Sequence, residues 1–195
     1  MTISTRAIRD AYQAASQQEL DALARRGVLM AGDASSDIVL VKGVLNEREQ
    51  EGAALLSGPD GDAMRAALLR LGYPPEAFCA LAAVCGAGDP DVVAVHPAGT
   101  PLEPALFREA LEALDPEAVV LLDDVAAYAM REAYAESLAQ IEQFEVAMLE
   151  PGLVAHVLGR RVLALDGFEA ALGDAAAKQR MWAYLKQLPP AGAPY

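Results

Sequence analysis

Asp37-Ile-Val-Leu-Val-Lys42 runs directly into Gly43-Val-Leu-Asn-Glu-Arg-Glu-Gln-Glu51, and Gly58-Pro-Asp-Gly61 follows. The first six residues hold a β-branched apolar run, the pattern of a buried strand. Residues Gly43 to Ser57 read as a long loop with one polar cluster, Asn46 to Glu51. Pro59 and Asp60 then mark a helix start, where proline presets φ and an acid meets the positive end of the helix dipole. Met64, Ala67, Leu68 and Leu71 recur at helical spacing and form one buried stripe. Strand, loop and helix in that order are the repeating unit of a parallel α/β sheet.

The unit recurs along the chain. Ala77–Val84, Ala118–Leu122 and Arg161–Leu165 read as further strands, and Pro104–Leu114, Val125–Leu138 and Phe168–Leu188 as helices. Ile141–Leu158 is ambiguous between helix and strand. An amphipathic helix over residues 5–24 precedes the unit, ending near Gly27, and residues 189–195 form a Pro-rich tail. The expected fold is a three-layer α/β/α sandwich around a central, mostly parallel, four-stranded sheet, in one domain over residues 1–195. Right-handed crossovers place helices on both faces. Ligands of such sheets bind beyond the carboxyl ends of the strands, so chemistry is expected in the loops after Lys42, Val84, Leu122 and Leu165.

Composition limits the function. The chain has 195 residues, 54% hydrophobic and 22% charged, enough for a core without staples. Two cysteines, Cys79 and Cys85, cannot alone complete a four-ligand metal site, which excludes a self-contained zinc finger or a four-thiolate iron–sulfur centre. They read as buried free thiols. The net charge of −13 repels nucleic acid. Between Ala87 and Glu150 fourteen acids face two cations, Arg108 and Arg131, whereas Pro151–Tyr195 carries five cations against three acids. A protein partner of basic character is therefore expected at the acidic midsection, around Asp89 to Glu150, and DNA is disfavoured. Any phosphate-facing surface would use Arg160, Arg161, Lys178 and Arg180. The first residues carry no signal-peptide pattern and no apolar run reaches membrane-spanning length, so no membrane association and a cytoplasmic location are expected.

Four motifs in order resemble the uracil-DNA glycosylase superfamily, nearest the bacterial and archaeal branch that carries an iron–sulfur cluster. Lys42-Gly-Val-Leu-Asn-Glu-Arg-Glu-Gln50 stands where that branch has G-E-A-P-G-x-x-E-D, and Gly58-Pro-Asp-Gly61 where it has G-x-A-G; Glu49, Gly58 and Gly61 match in place. Phe78-Cys-Ala-Leu-Ala-Ala-Val-Cys85 stands at Y-x-T-N-x-V-K-C, retaining the final cysteine. Leu111–Met130 is similar to I-x-P-x-x-I-V-x-L-G-x-x-A-A, and Lys178-Gln-Arg-Met-Trp182 with Leu185 to the closing K-x-x-x-W-x-D-L. The resemblance spans residues 37–188.

It implies a base-excising ancestry and, residue by residue, an emptied site. Removing a base needs a group that holds water, a donor–acceptor that reads the base edge, and a donor to the leaving anion. The family's acidic position falls on Gly43, its edge-reading Asn on Leu81, and its His-Pro pair on Gly167-Phe168. The N-terminal C-x-x-C of the cluster has no counterpart, so no iron–sulfur cluster, no other cofactor and no metal is expected. Gly43, Asn46, Gly58, Gly61, Leu81, Gly167 and Phe168 are the pocket positions the resemblance implies. Stand-ins for catalysis would be Asn46, Glu49, Asp166 and His156, with His96 in a neighbouring loop. Asp123 and Asp124, two acids at a strand end, are expected to cap the next helix. Trp182 is expected to pack. The leading expectation is a catalytically inactive uracil-DNA glycosylase-like binding or interaction module, in a DNA-repair or replication setting. An active glycosylase with a rearranged site and a nucleobase- or nucleotide-binding protein are the alternatives.

Overall fold

The computed structural model describes residues 5–74, 77–86 and 97–190. His96, Asp89, Asp91 and the tail beyond residue 190 lie outside them. After helix α1 (Thr5–Arg25) come strands β1 (Val28–Gly32) and β2 (Ile38–Lys42), the one-turn helix α2 (Glu47–Gln50), α3 (Pro59–Leu71) and β3 (Cys79–Cys85). Then follow α4 (Pro104–Leu114), β4 (Ala118–Leu121), α5 (Asp124–Ala133), α6 (Ala135–Leu138) and α7 (Phe144–Ala147). The antiparallel pair β5 (Val154–Val157) and β6 (Arg160–Ala164), then α8 (Phe168–Ala171) and α9 (Ala175–Leu185), complete the order.

The α/β class holds, but the sheet is not four-stranded. Among the described residues it has six strands, in the order β1-β3-β2-β4-β6-β5, and is mixed. β3, β2, β4 and β6 run parallel to one another, while β1 and β5 add antiparallel edges on β3 and β6. Both additions are hidden in the sequence for physical reasons. Val28-Leu-Met-Ala-Gly32 contains one β-branched residue, and Leu, Met and Ala are good helix formers that follow a helix directly. Val154-Ala-His-Val157 is four residues long, too short for an alternation to register. Two helices expected as continuous are also broken. Asp174 caps a fresh helix by accepting from Ala177 N at 2.7 Å, which splits the C-terminal segment. Tyr134 interrupts the segment after β4.

Successive residues of a strand face opposite sides. Val39, Val41, Leu81, Val119 and Leu121 meet Leu23 of α1, Phe107 and Leu111 of α4, and Met130 of α5. Ile38, Leu40, Ala80, Val120 and Leu163 meet Met64 and Leu68 of α3, Phe168 of α8, and Met181 and Leu185 of α9. By the same parity Lys42 continues the Ile38–Leu40 stripe, so β2 ends by pointing a lysine into the α3 and α8 side. Among the described residues no helix is long and apolar enough to cross a membrane.

Candidate functional site

The order of strands fixes where a crevice opens. The chain leaves β2 to build β3 on one side and later β4 on the other, so the connections diverge past the carboxyl ends of β2 and β4. A crevice of about 430 Å³ lies there. Val44, Leu45, Leu122 and Phe168 form its apolar wall, and Lys42, Asn46, Asp60, Asp123, Asp124 and Glu169 its polar one.

Asp123 ties the two strand ends together. Its Oδ2 accepts from Gly43 N at 2.9 Å and Val44 N at 3.0 Å, and its Oδ1 accepts from Ala126 N at 2.8 Å, capping α5. One carboxylate therefore satisfies a helix start and the first loop at once. The fit leaves no room at residue 43. A Cβ there would stand 2.5 Å from Val125 Cβ, 2.6 Å from Asp123 Oδ1 and 2.7 Å from Ala126 N. The position that carries an acid in the resembled family is thus sterically committed to glycine by the start of α5, through Val125, Asp123 and the Ala126 backbone.

Glu49 is likewise engaged in building the loop. Asn46 Oδ1 accepts from Glu49 N at 3.0 Å while Glu49 Oε2 accepts from Asn46 N at 2.9 Å, a reciprocal capping box on α2. Glu49 Oε1 accepts from Leu56 N at 2.8 Å. Leu56 is fully buried with φ 53°, and its carbonyl lies against Gly61, where a Cβ would collide with it. Gly61 is required by that close approach, and Gly58 sits at the N-cap of α3.

The centre of the polar wall is Lys42, which is 2% exposed. Its Nζ lies 2.6 Å from Asp60 Oδ2, 2.8 Å from Glu49 Oε2 and 2.9 Å from Glu169 Oε2. Burial opposes the charge on Lys42, but the bonds to Asp60, Glu49 and Glu169 outweigh it, and its pKa lies above the ordinary lysine value. Asp60 and Glu49 are nearly inaccessible, whereas the Glu169 side chain is 49% exposed. Three N–H donors meet three carboxylates. Among the described residues Lys42 is the one cation lining the crevice, and it is fully engaged.

This cluster was not legible as a site in the sequence, although its signals were present: a lysine on the apolar parity of a buried strand, and Asn46-x-x-Glu49 as a capping box. The other candidates are scattered. Gly167 (φ 71°) and Phe168 border the crevice, as do Asn46 and, through its backbone, Gly43. Leu81 belongs to the core on the opposite face of the sheet and lines no part of the crevice. His156 is exposed on the edge strand β5, opposite Arg161. Asp166 is exposed and lies 3.7 Å from Arg180. Arg160 pairs with Asp115 at 2.8 Å, and Arg161 donates to Pro189 O at 2.8 Å, so both face the protein. Lys178 and Trp182 line a separate apolar groove of about 260 Å³ against α3. Cys79 and Cys85 are buried free thiols, and burial pushes Cys79 up to about 12. Among the described residues no group of three His, Cys, Asp or Glu side chains is arranged to hold a metal ion.

No protein-family model matches the chain, and no curated protein is detectably similar to it.

Proposed function

We propose that the chain is a non-hydrolytic, uracil-DNA glycosylase-like binding module whose crevice takes a small uncharged ligand of nucleobase size. The observation that carries this reading is an open crevice whose buried polar groups, Lys42, Asp60 and Asn46, and the cap Asp123 are already bonded within the protein, with only the surface acids Asp124 and Glu169 left open to solvent. Its volume of about 430 Å³ falls in the range of small-molecule sites, and Phe168, Leu122 and Val44 offer an apolar wall for a flat ring. Glu49 and Asp123 each have both carboxylate oxygens bonded within the protein, and Asn46 Oδ1 caps α2. Nothing among them is left to activate water. Lys42, satisfied by three carboxylates, has no spare donor for a leaving anion. With Asp60, Asp123, Asp124 and Glu169 around it, the crevice repels phosphate, so a base or nucleoside is favoured over a nucleotide.

Two measurements test the reading. A thermal-shift series with free bases, nucleosides and mononucleotides should raise Tm in a concentration-dependent way for bases and nucleosides, and less for the phosphorylated forms. Uracil-containing single- and double-stranded DNA should accumulate no abasic sites. Excision activity that disappears in Glu49→Ala, or a Tm indifferent to every base and nucleoside, refutes it.

A further inference from the structure

Farther along α5 lies a second depression, of about 420 Å³, which shares no lining residue with the proposed ligand site. Its floor is apolar, from Ala83, Leu102, Val125 and Ala129, and its walls are Tyr128 and the turn from Pro101 to Pro104. That turn is pinned. Leu102 N donates to Ala83 O at 3.0 Å, Pro101 forms a bridge with Val84, and Pro104 opens α4. The groove is therefore a fixed feature of the fold.

Its chemistry is that of a receptor for a cation on an apolar stem. Tyr128 is 56% exposed, a large ring left facing solvent at the groove. Glu132 follows it by one helical turn on the same stripe of α5. Glu103 lines the facing wall; it stands at the N-cap of α4 but makes no side-chain cap bond. Among the described residues neither Glu103 nor Glu132 has a salt-bridge partner. Among the described residues no cation lines the groove. The surrounding segment is complementary in charge to a basic partner, with fourteen acids against Arg108 and Arg131 between Ala87 and Glu150. Arg108 is paired with Glu112 at 2.8 Å, and Arg131 donates to Met148 O at 3.1 Å, so the region's two cations are engaged elsewhere.

We infer that this groove docks a basic segment of a partner protein, with an arginine side chain lying over the Tyr128 ring and its guanidinium held between Glu103 and Glu132. The apolar floor takes the arginine's methylene stem and a neighbouring aliphatic side chain, and the two carboxylates take its N–H donors. Arginine suits the site better than lysine because its planar guanidinium stacks on an aromatic face while donating from its edge.

The test uses the full chain and a fluorescent peptide of alternating arginine and leucine, read by fluorescence anisotropy at physiological salt. Tyr128→Ala and the double variant Glu103→Gln/Glu132→Gln should each weaken binding about tenfold. Glu142→Gln/Glu145→Gln, which removes the same charge elsewhere on the acidic surface, should stay within about twofold. Replacing arginine by lysine in the peptide should weaken it as well. The inference is overturned by any of three results: no binding of the peptide, equal losses in the two double-glutamine variants, or full affinity in Tyr128→Ala. Equal losses would identify diffuse charge attraction. All variants lie at exposed positions, and unchanged Tm separates lost docking from lost folding.

Discussion

Replacing Lys42 by methionine leaves an unbranched side chain one atom shorter and removes the charge that three carboxylates share. The consequence follows from exposure. Glu49 and Asp60 have side chains only 1% and 2% accessible, and neither can turn to water when the ammonium is gone. Breaking a buried ion pair by removing one partner costs about 3–5 kcal/mol, because a charge is left uncompensated. Set against a typical total stability of about 5–15 kcal/mol, this is at least about a fifth of the whole. For a chain of this size it corresponds to a fall in Tm of about 6–20 °C. Glu169→Ala removes a carboxylate from the same nitrogen, but a half-exposed one, and should change stability by no more than about 1 kcal/mol. Urea denaturation at neutral pH measures both. The pH dependence adds an independent check. The folded pKa of Lys42 is raised, so its contribution is complete below the ordinary value of 10.5 and is lost as pH rises through the folded value. The gap between wild type and Lys42→Met should therefore be flat from pH 6 to pH 9 and begin to close above 10.5. A Lys42→Met protein within about 1 kcal/mol of wild type, or a Glu169→Ala protein as unstable as Lys42→Met, would refute the reasoning.

Three further outcomes are expected. Gly43→Asp, which restores the resembled family's acid, should destabilise by about 1–3 kcal/mol through overpacking against Val125 and Asp123 and should yield no abasic sites in uracil-containing DNA. Asp123→Ala should cost about 2–3 kcal/mol in urea titrations, since it removes a helix cap and two backbone acceptor contacts together. Burial raises Cys79 and Tyr134 to about 12, above their ordinary values of 9.0 and 10.0. Both stay protonated in the fold while the unfolded chain ionises, so stability should fall above pH 9 through Cys79 and more steeply above pH 10 as Tyr134 joins, by about 1.4 kcal/mol per pH unit for each group. Cys79→Ala should abolish the first part of that decline, and native protein should leave the thiol-reactive dye Ellman's reagent unreacted at pH 8 until urea is added.

The interior of the fold was readable because its strands are long or β-branched enough to declare themselves: Ile38–Lys42 and Ala118–Leu121 sit where periodicity put them. The edges were not, since β1 is written in residues that a helix would accept equally. The capping role expected at Asp123-Asp124 falls to Asp123, but its second task, holding Gly43 and Val44, depends on two strand ends meeting in space. The lysine cluster was missed for the same reason. Its members come from β2, α2, α3 and α8, and each has an ordinary local explanation: Lys42 as a strand end, Asp60 as a helix-dipole partner, Glu169 as a first-turn acid. Only their convergence on one nitrogen distinguishes them.

Gly43 and Asp123 are far apart along the chain yet behave as one lock. Whatever occupies residue 43 must fit under the carboxylate that starts α5, and whatever occupies residue 123 decides whether the loop after β2 can keep its shape. A change at either position alone meets resistance from the other. Any engineered return of a side chain to the first loop therefore begins at Asp123, with a smaller cap and a re-seated helix, before Gly43 itself is touched.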